Sequence, residues 1–125
     1  MATIVVVEDQ PDNLKLFKAL LTMKGHRVIG LPSGEGLVAT LLAEQPTPQL
    51  VLLDIQLPGR DGYSVLDDLK KLEGDHPWKV VALTAHAMPG DREKTLAAGF
   101  DGYIAKPIDV RSFGDEVARY LSASR

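Results

Sequence analysis

Short apolar runs alternate along the chain with longer segments in which apolar residues recur at three- and four-residue intervals. The short runs predict strands at Thr3–Val7, Arg27–Leu31, Leu50–Leu53, Val80–Thr84 and Gly102–Ala105. The first, third and fourth are nearly continuous Val, Ile and Leu, the composition of strands covered on both faces. The longer segments predict helices at Pro11–Lys24, Gly34–Glu44, Asp61–Glu73, Pro89–Ala98 and Asp109–Ser122. Five βα units in unbroken succession predict an α/β fold: a parallel sheet with helices on both faces.

The helix ends and stripes agree with this. Pro11 suits a first helical position and Gly25 a stop. Leu16, Phe17, Leu20 and Leu21 form an inward stripe on the first helix, and Val65, Leu66, Leu69 and Leu72 on the third. Asp67, Asp68, Lys70 and Lys71 make a solvated face of that third helix. Asp109 is expected to cap the last helix, with Ile108 and Phe113 stapled around it and Val110, Phe113, Val117 and Leu121 facing in. Trp78 opens the fourth strand at the end away from Asp54 and reads as packing, with a partner anchor as the other use.

Composition narrows the function. A chain of 125 residues is expected to be one domain, 1–125, with no output domain. The net charge of −3 provides no basic footprint for nucleic acid. Without cysteine there is no disulfide, thiol nucleophile or thiolate metal site. No apolar run approaches membrane-spanning length, and the strand beginning at Thr3 leaves no room for a signal peptide, so a cytoplasmic location is expected. His26, His76 and His86 fall in different loops at no ligand spacing.

The chemistry gathers where strands end. Val7 runs into Glu8–Asp9 and Leu53 into Asp54; the fourth strand ends at Thr84 and the fifth at Lys106–Pro107. For strands in the flavodoxin-like, doubly wound order 2-1-3-4-5, the chain reverses between the first and third, and ligands bind beyond the carboxyl ends there. All these groups then share one rim. Two like charges about 4 Å apart repel by roughly 4 kcal/mol at an effective dielectric near 20, so three carboxylates must shift their pKa values, find cations, or both. Lys106 supplies one charge, and a hard divalent ion such as Mg²⁺ supplies two more. Metal, lysine and hydroxyl describe phosphoryl transfer, with an aspartate able to act as nucleophile. Taken singly, Asp54 reads as a cap or turn former, Glu8–Asp9 as a favourable helix start, Lys106 as a solvated lysine and Thr84 as a strand threonine. Their common register favours one site.

Four stretches in order, Val-Val-Glu8-Asp9, Leu-Leu-Asp54-Ile-Gln-Leu-Pro58-Gly-Arg-Asp61-Gly62, Val-Val-Ala-Leu-Thr84-Ala85 and Gly99-Phe-Asp-Gly-Tyr103-Ile-Ala-Lys106-Pro107, resemble a response-regulator receiver domain from Ile4 to Leu121. Thr84–Pro107 is most similar to receivers of hybrid kinases and of single-domain regulators. The resemblance implies that Asp54 accepts a phosphoryl group from a histidine kinase or histidine phosphotransfer protein. It implies Mg²⁺ held by Asp9, Asp54 and the Gln56 carbonyl, with Glu8 helping through water. Lys106 and Thr84 would hold phosphoryl oxygens, Thr84 and Tyr103 would form the switch, and Lys106–Pro107 would be cis. Gln56 and His86 stand where the family tunes the lifetime of the phosphoryl group. Output would pass to a downstream protein target by relay or allosteric control.

Two features depart from the commonest pattern or stay open. The acidic pair is Glu–Asp rather than Asp–Asp. Leu14 is either loosely packed or, beside Pro11 and Asn13, part of a surface meeting a phosphohistidine-bearing helix. Other functions fit less well. A Mg²⁺-dependent phosphohydrolase using Asp54 would carry a second acid where Gln56 stands, and no inserted cap encloses a substrate. A receiver-like scaffold that is never phosphorylated has no need of the intact acid, Thr and Lys set. A flavin protein would have a phosphate-cradling loop after the first strand.

Overall fold

The computed structural model describes residues 2–45, 47–57, 61–72, 78–85 and 90–122. Strands β1 (Thr3–Val7), β2 (Arg27–Leu31), β3 (Leu50–Asp54), β4 (Lys79–Thr84) and β5 (Gly102–Ala105) form one parallel sheet in the order β2-β1-β3-β4-β5. Between and after them run α1 (Pro11–Met23), α2 (Leu37–Ala43), α3 (Gly62–Lys70), α4 (Asp91–Ala97) and α5 (Phe113–Ser122). This is the doubly wound (βα)5 architecture expected from the alternation of runs.

The sheet separates two apolar cores, and strand parity decides which residue joins which. Val5, Val7, Val51, Leu53, Val80 and Ala82 pack on one face against Leu37 and Leu41 of α2, Val65, Leu66 and Leu69 of α3, and Phe100. Ile4, Val6, Leu50, Leu52, Val81, Leu83 and Ile104 pack on the other face against Phe17 and Leu21 of α1 and Phe113 and Val117 of α5. The Phe17 and Phe113 rings stack there with centroids 5.4 Å apart. Trp78 is buried in the first core, so packing is its use.

Strand boundaries depart from the sequence expectation by at most one residue, whereas every helix but α1 begins later than expected. Gly36 and Gly90 sit at φ 83° and 90°, a left-handed conformation that no right-handed helix contains, so α2 and α4 start only after them. Asp61 lies outside α3 as its N-cap, its Oδ1 accepting the Ser64 N–H at 2.8 Å. Asp109 does not cap α5. Its Oδ1 accepts from Arg111 N in a tight turn, and its carbonyl accepts from Ser112 and Phe113, which delays the helix to Phe113. That turn leaves Val110 exposed rather than inward, while Ile108 still packs against the core that holds Phe113. On α1, Leu16 is exposed, and Leu14 instead joins Phe17, Leu20 and Leu21 against the core. Glu73, His76 and Pro89 lie outside the described residues.

Candidate functional site

Register and parity assemble the site. Val7 is level with Leu53, so Glu8 and Asp54 leave the sheet on the same rung of adjacent strands. Asp54 is level with Leu83, and Thr84, one step on, is level with Ala105, which precedes Lys106. Glu8 continues the alternation Ile4, Val6; Asp54 continues Leu50, Leu52; Lys106 follows Ile104. All three therefore emerge on the face of α1 and α5, just above the core they extend.

Their contacts bear this out. Lys106 Nζ donates to Asp54 Oδ2 at 2.8 Å and to Glu8 Oε1 at 2.9 Å. The second oxygens are held by backbone: Gln56 N–H donates to Asp54 Oδ1 at 2.9 Å and Gln10 N–H to Glu8 Oε2 at 3.1 Å. Glu8 and Asp54 are almost wholly buried, and the Lys106 side chain is 13% exposed. Burial pushes the Glu8 carboxyl above its usual range, against the pull of the Lys106 and Gln10 hydrogen bonds. Burial alone would draw Lys106 down, but its bonds to Asp54 and Glu8 and their charges outweigh that and raise it. Lys106 is thus held as a cation between two carboxylates.

Asp9 completes the acidic group. One oxygen each from Glu8, Asp9 and Asp54 lie within 4.8 Å of one another, and Asp9 is only half-buried, so the group opens to solvent on that side. An all-oxygen, anionic donor set of this size fits a hard divalent cation that retains waters. Lys106 already takes one oxygen each of Glu8 and Asp54, so the half-buried Asp9 is the carboxylate of the three most open to an ion.

Thr84 and Tyr103 belong to the opposite parity and face the α3–α4 side. They line a hollow of about 210 Å³ with Gln56, Tyr63, Lys94 and Thr95. Its wall is built by contacts the sequence did not disclose: Tyr63 Oη and Thr95 Oγ1 share a hydrogen bond at 3.1 Å, Lys94 Nζ lies 5.5 Å from the centre of the Tyr63 ring, and that ring meets Phe100 edge-on. Thr84 is buried, Tyr103 half-buried and Ala85 exposed. The Lys106–Pro107 peptide bond is cis.

Gly62 is a second feature not read as functional from sequence. It is buried with its N–H on the Ile55 carbonyl, and a Cβ there would come within 2.7 Å of Ile55 Cα and 2.8 Å of the Asp54 carbonyl oxygen. Glycine lets α3 begin directly against the turn that carries the acid. The signal was present as Asp61–Gly62, a cap followed by the smallest residue.

On the other side of the rim, Gln10, Asn13, Leu16, Lys106, Pro107 and Ile108 border an open hollow of about 460 Å³. Pro11 is exposed beside it, but Leu14 turns away, its side chain against Gly30. Pro58, Gly59, Arg60 and His86 lie outside the described residues.

The model of the response regulator receiver domain matches residues 4–118. The chain belongs to that family. This receiver is 40% identical over 119 residues to the polar-differentiation response regulator DivK of Brucella ovis, covering 95% of each chain. Among solved structures, the receiver domain of the sensor histidine kinase PA1611 from Pseudomonas aeruginosa PAO1 superimposes with a TM-score of 0.83 at 32% identity, over 98% of both chains. That protein has a magnesium ion coordinated in its active site cleft. A CheY-like receiver from Methanospirillum hungatei JF-1 superimposes with a TM-score of 0.82 at 28% identity, over 97% of this chain and 94% of that one. This is a receiver of the two-component response regulators, DivK-like in sequence. Among the described residues no helix is long and apolar enough to cross a membrane.

Proposed function

We propose that this receiver takes a phosphoryl group onto Asp54 from a phosphohistidine of a histidine kinase or histidine phosphotransfer protein, and passes the signal on by contact with a downstream protein. The observation that carries this is the setting of Asp54: a buried carboxylate at a strand end, with Lys106 on one oxygen and an acidic cluster open to solvent beside it.

An Asp54 carboxylate oxygen attacks phosphorus; the bond from phosphorus to the donor imidazole nitrogen breaks, and its electron pair leaves with that ring, which takes up a proton. The work of the protein is positioning and charge neutralisation. Gln56 N–H and Lys106 Nζ fix the two Asp54 oxygens before reaction, so the nucleophile loses little freedom on the way to the transition state. Lys106 then pairs with a phosphoryl oxygen, and the Thr84 hydroxyl donates to another. Asp9, Asp54 and the Gln56 carbonyl would hold Mg²⁺, with Glu8 keeping Lys106 in place and reaching the ion through water. When bound there, Mg²⁺ would supply positive charge beside the transferring phosphoryl group. Tyr103 shares the hollow of Thr84 and turns into it when Thr84 moves toward the phosphoryl group. Pro11 and Asn13 lie on the flank where a phosphohistidine-bearing helix docks, while Leu14, packed against Gly30, only supports that flank from within, and Gln56 and His86 set how long the phosphoryl group persists.

The test is intact mass after treatment with acetyl phosphate and Mg²⁺, with an authentic receiver labelled alongside. One phosphoryl group is expected on the wild type and none on Asp54→Asn. Unmodified wild type in a tube where the authentic receiver is labelled overturns the proposal.

A further inference from the structure

Tyr120, near the end of α5, is held at both its ends. Its carbonyl accepts from Lys79 Nζ, at the start of β4, at 2.7 Å. Its hydroxyl lies against β5, accepting the Tyr103 N–H at 3.2 Å and donating to the Tyr103 carbonyl at 3.3 Å. β5 is the edge strand, so among the described residues these peptide groups have no neighbouring strand on its outer side. A phenol, which both donates and accepts, substitutes for one. The ring reaches that position only because residue 102 is glycine. A Cβ there would clash with the Tyr120 ring at Cε1 and Cζ.

Tyr103 is thereby gripped by its backbone while its side chain borders two hollows. One, with Thr84, lies beside the acidic rim; the other, of about 540 Å³, lies between α4 and α5 and includes Arg92, Glu116 and Tyr120. We infer that Tyr120 is a positioning residue that fixes the Tyr103 peptide and makes the last turn of α5 move with it, so that a change at Thr84 and Tyr103 is passed to α5. By linkage, a partner bound to α5 acts back on Asp54 through the same contact. The transmission rests on the reading of Asp54 as phosphoryl acceptor; the grip on Tyr103 does not.

Tyr120→Phe removes both hydrogen bonds and keeps the ring over Gly102. Amide hydrogen exchange at Tyr103 should become roughly tenfold faster, while Ile104, on the β4 side, is unchanged. A loss of packing alone would speed both. Amide spectra with Mg²⁺ and beryllofluoride, a phosphoryl mimic, test the transmission. In the wild type, Asp54, Thr84 and α5 amides should all shift; in Tyr120→Phe the α5 shifts should fall to about a third while those at Asp54 persist. Undiminished α5 shifts, or unaltered Tyr103 exchange, overturn the inference. If the variant fails to fold, the wild type decides: a Tyr103 amide exchanging as fast as an unpaired edge amide overturns the grip. A wild type with no shift at Asp54 overturns the phosphoacceptor reading instead, and the exchange comparison still judges Tyr120.

Discussion

At the residue scale the arrangement is set by charges that would not be buried singly. Glu8 is wholly enclosed, and Lys106 lies between it and Asp54 with each carboxylate's second oxygen on a backbone N–H. Removing one member of such a group leaves an uncompensated buried charge, which is why all of them must be present together. Gly62 is the steric counterpart. Gly62→Ala puts a methyl group against the Asp54 carbonyl and Ile55 Cα, two backbone positions with nowhere to retreat. The expected loss of stability is about 1–3 kcal/mol, read from urea unfolding, with slower labelling of Asp54 by acetyl phosphate. A variant as stable and as readily labelled as the wild type would show that α3 can start further from the acid.

At the scale of elements, short polar contacts fix how each helix enters and leaves the sheet. Asp61 caps α3, the Asp109 turn delays α5, and His26 joins the α1–β2 turn to the start of β1 by accepting the Ala2 N–H on Nδ1 at 3.2 Å. Burial lowers the His26 pKa below 6.5, and a protonated ring could not accept that bond. Below pH 6.5 the unfolded chain therefore binds a proton that the folded chain refuses. The His26 contribution to stability is complete above that pH and declines as pH falls toward the folded value. Urea midpoints at pH 7.5 and 5.5 should fall further for the wild type than for His26→Gln; equal falls would show that the ring titrates normally in the fold.

At the scale of the molecule, the residues proposed to act together are divided between the two faces of the sheet. The acids and Lys106 stand over the α1–α5 face, and Thr84 and Tyr103 over the α3–α4 face. The acidic cluster should make stability depend on Mg²⁺: at one hundred times its dissociation constant the ion adds about 2.7 kcal/mol. The melting temperature should rise with Mg²⁺ in the wild type and much less in Asp9→Asn, and a parallel rise in both would place the ion elsewhere. Much of this was legible in the chain. Strand limits fell within a residue of expectation, because a continuous apolar run has no other use in a sheet covered on both faces. The site residues were legible because Glu8, Asp54 and Lys106 each follow the last buried residue of their own parity, and alternation along a strand is local geometry. Helix starts were less so, since Gly36, Gly90 and the Asp109 turn act through backbone angles that apolar periodicity does not register. Which leucine of α1 packs and which is exposed, the need for glycine at 62 and 102, and the reach of Tyr120 to the Tyr103 peptide depend on surfaces brought together from far apart in the chain. Sequence by itself determined which residues face each side of the sheet, because that follows from the pleat. Only the tertiary structure decided which of them touch, because contact depends on how closely separate elements pack.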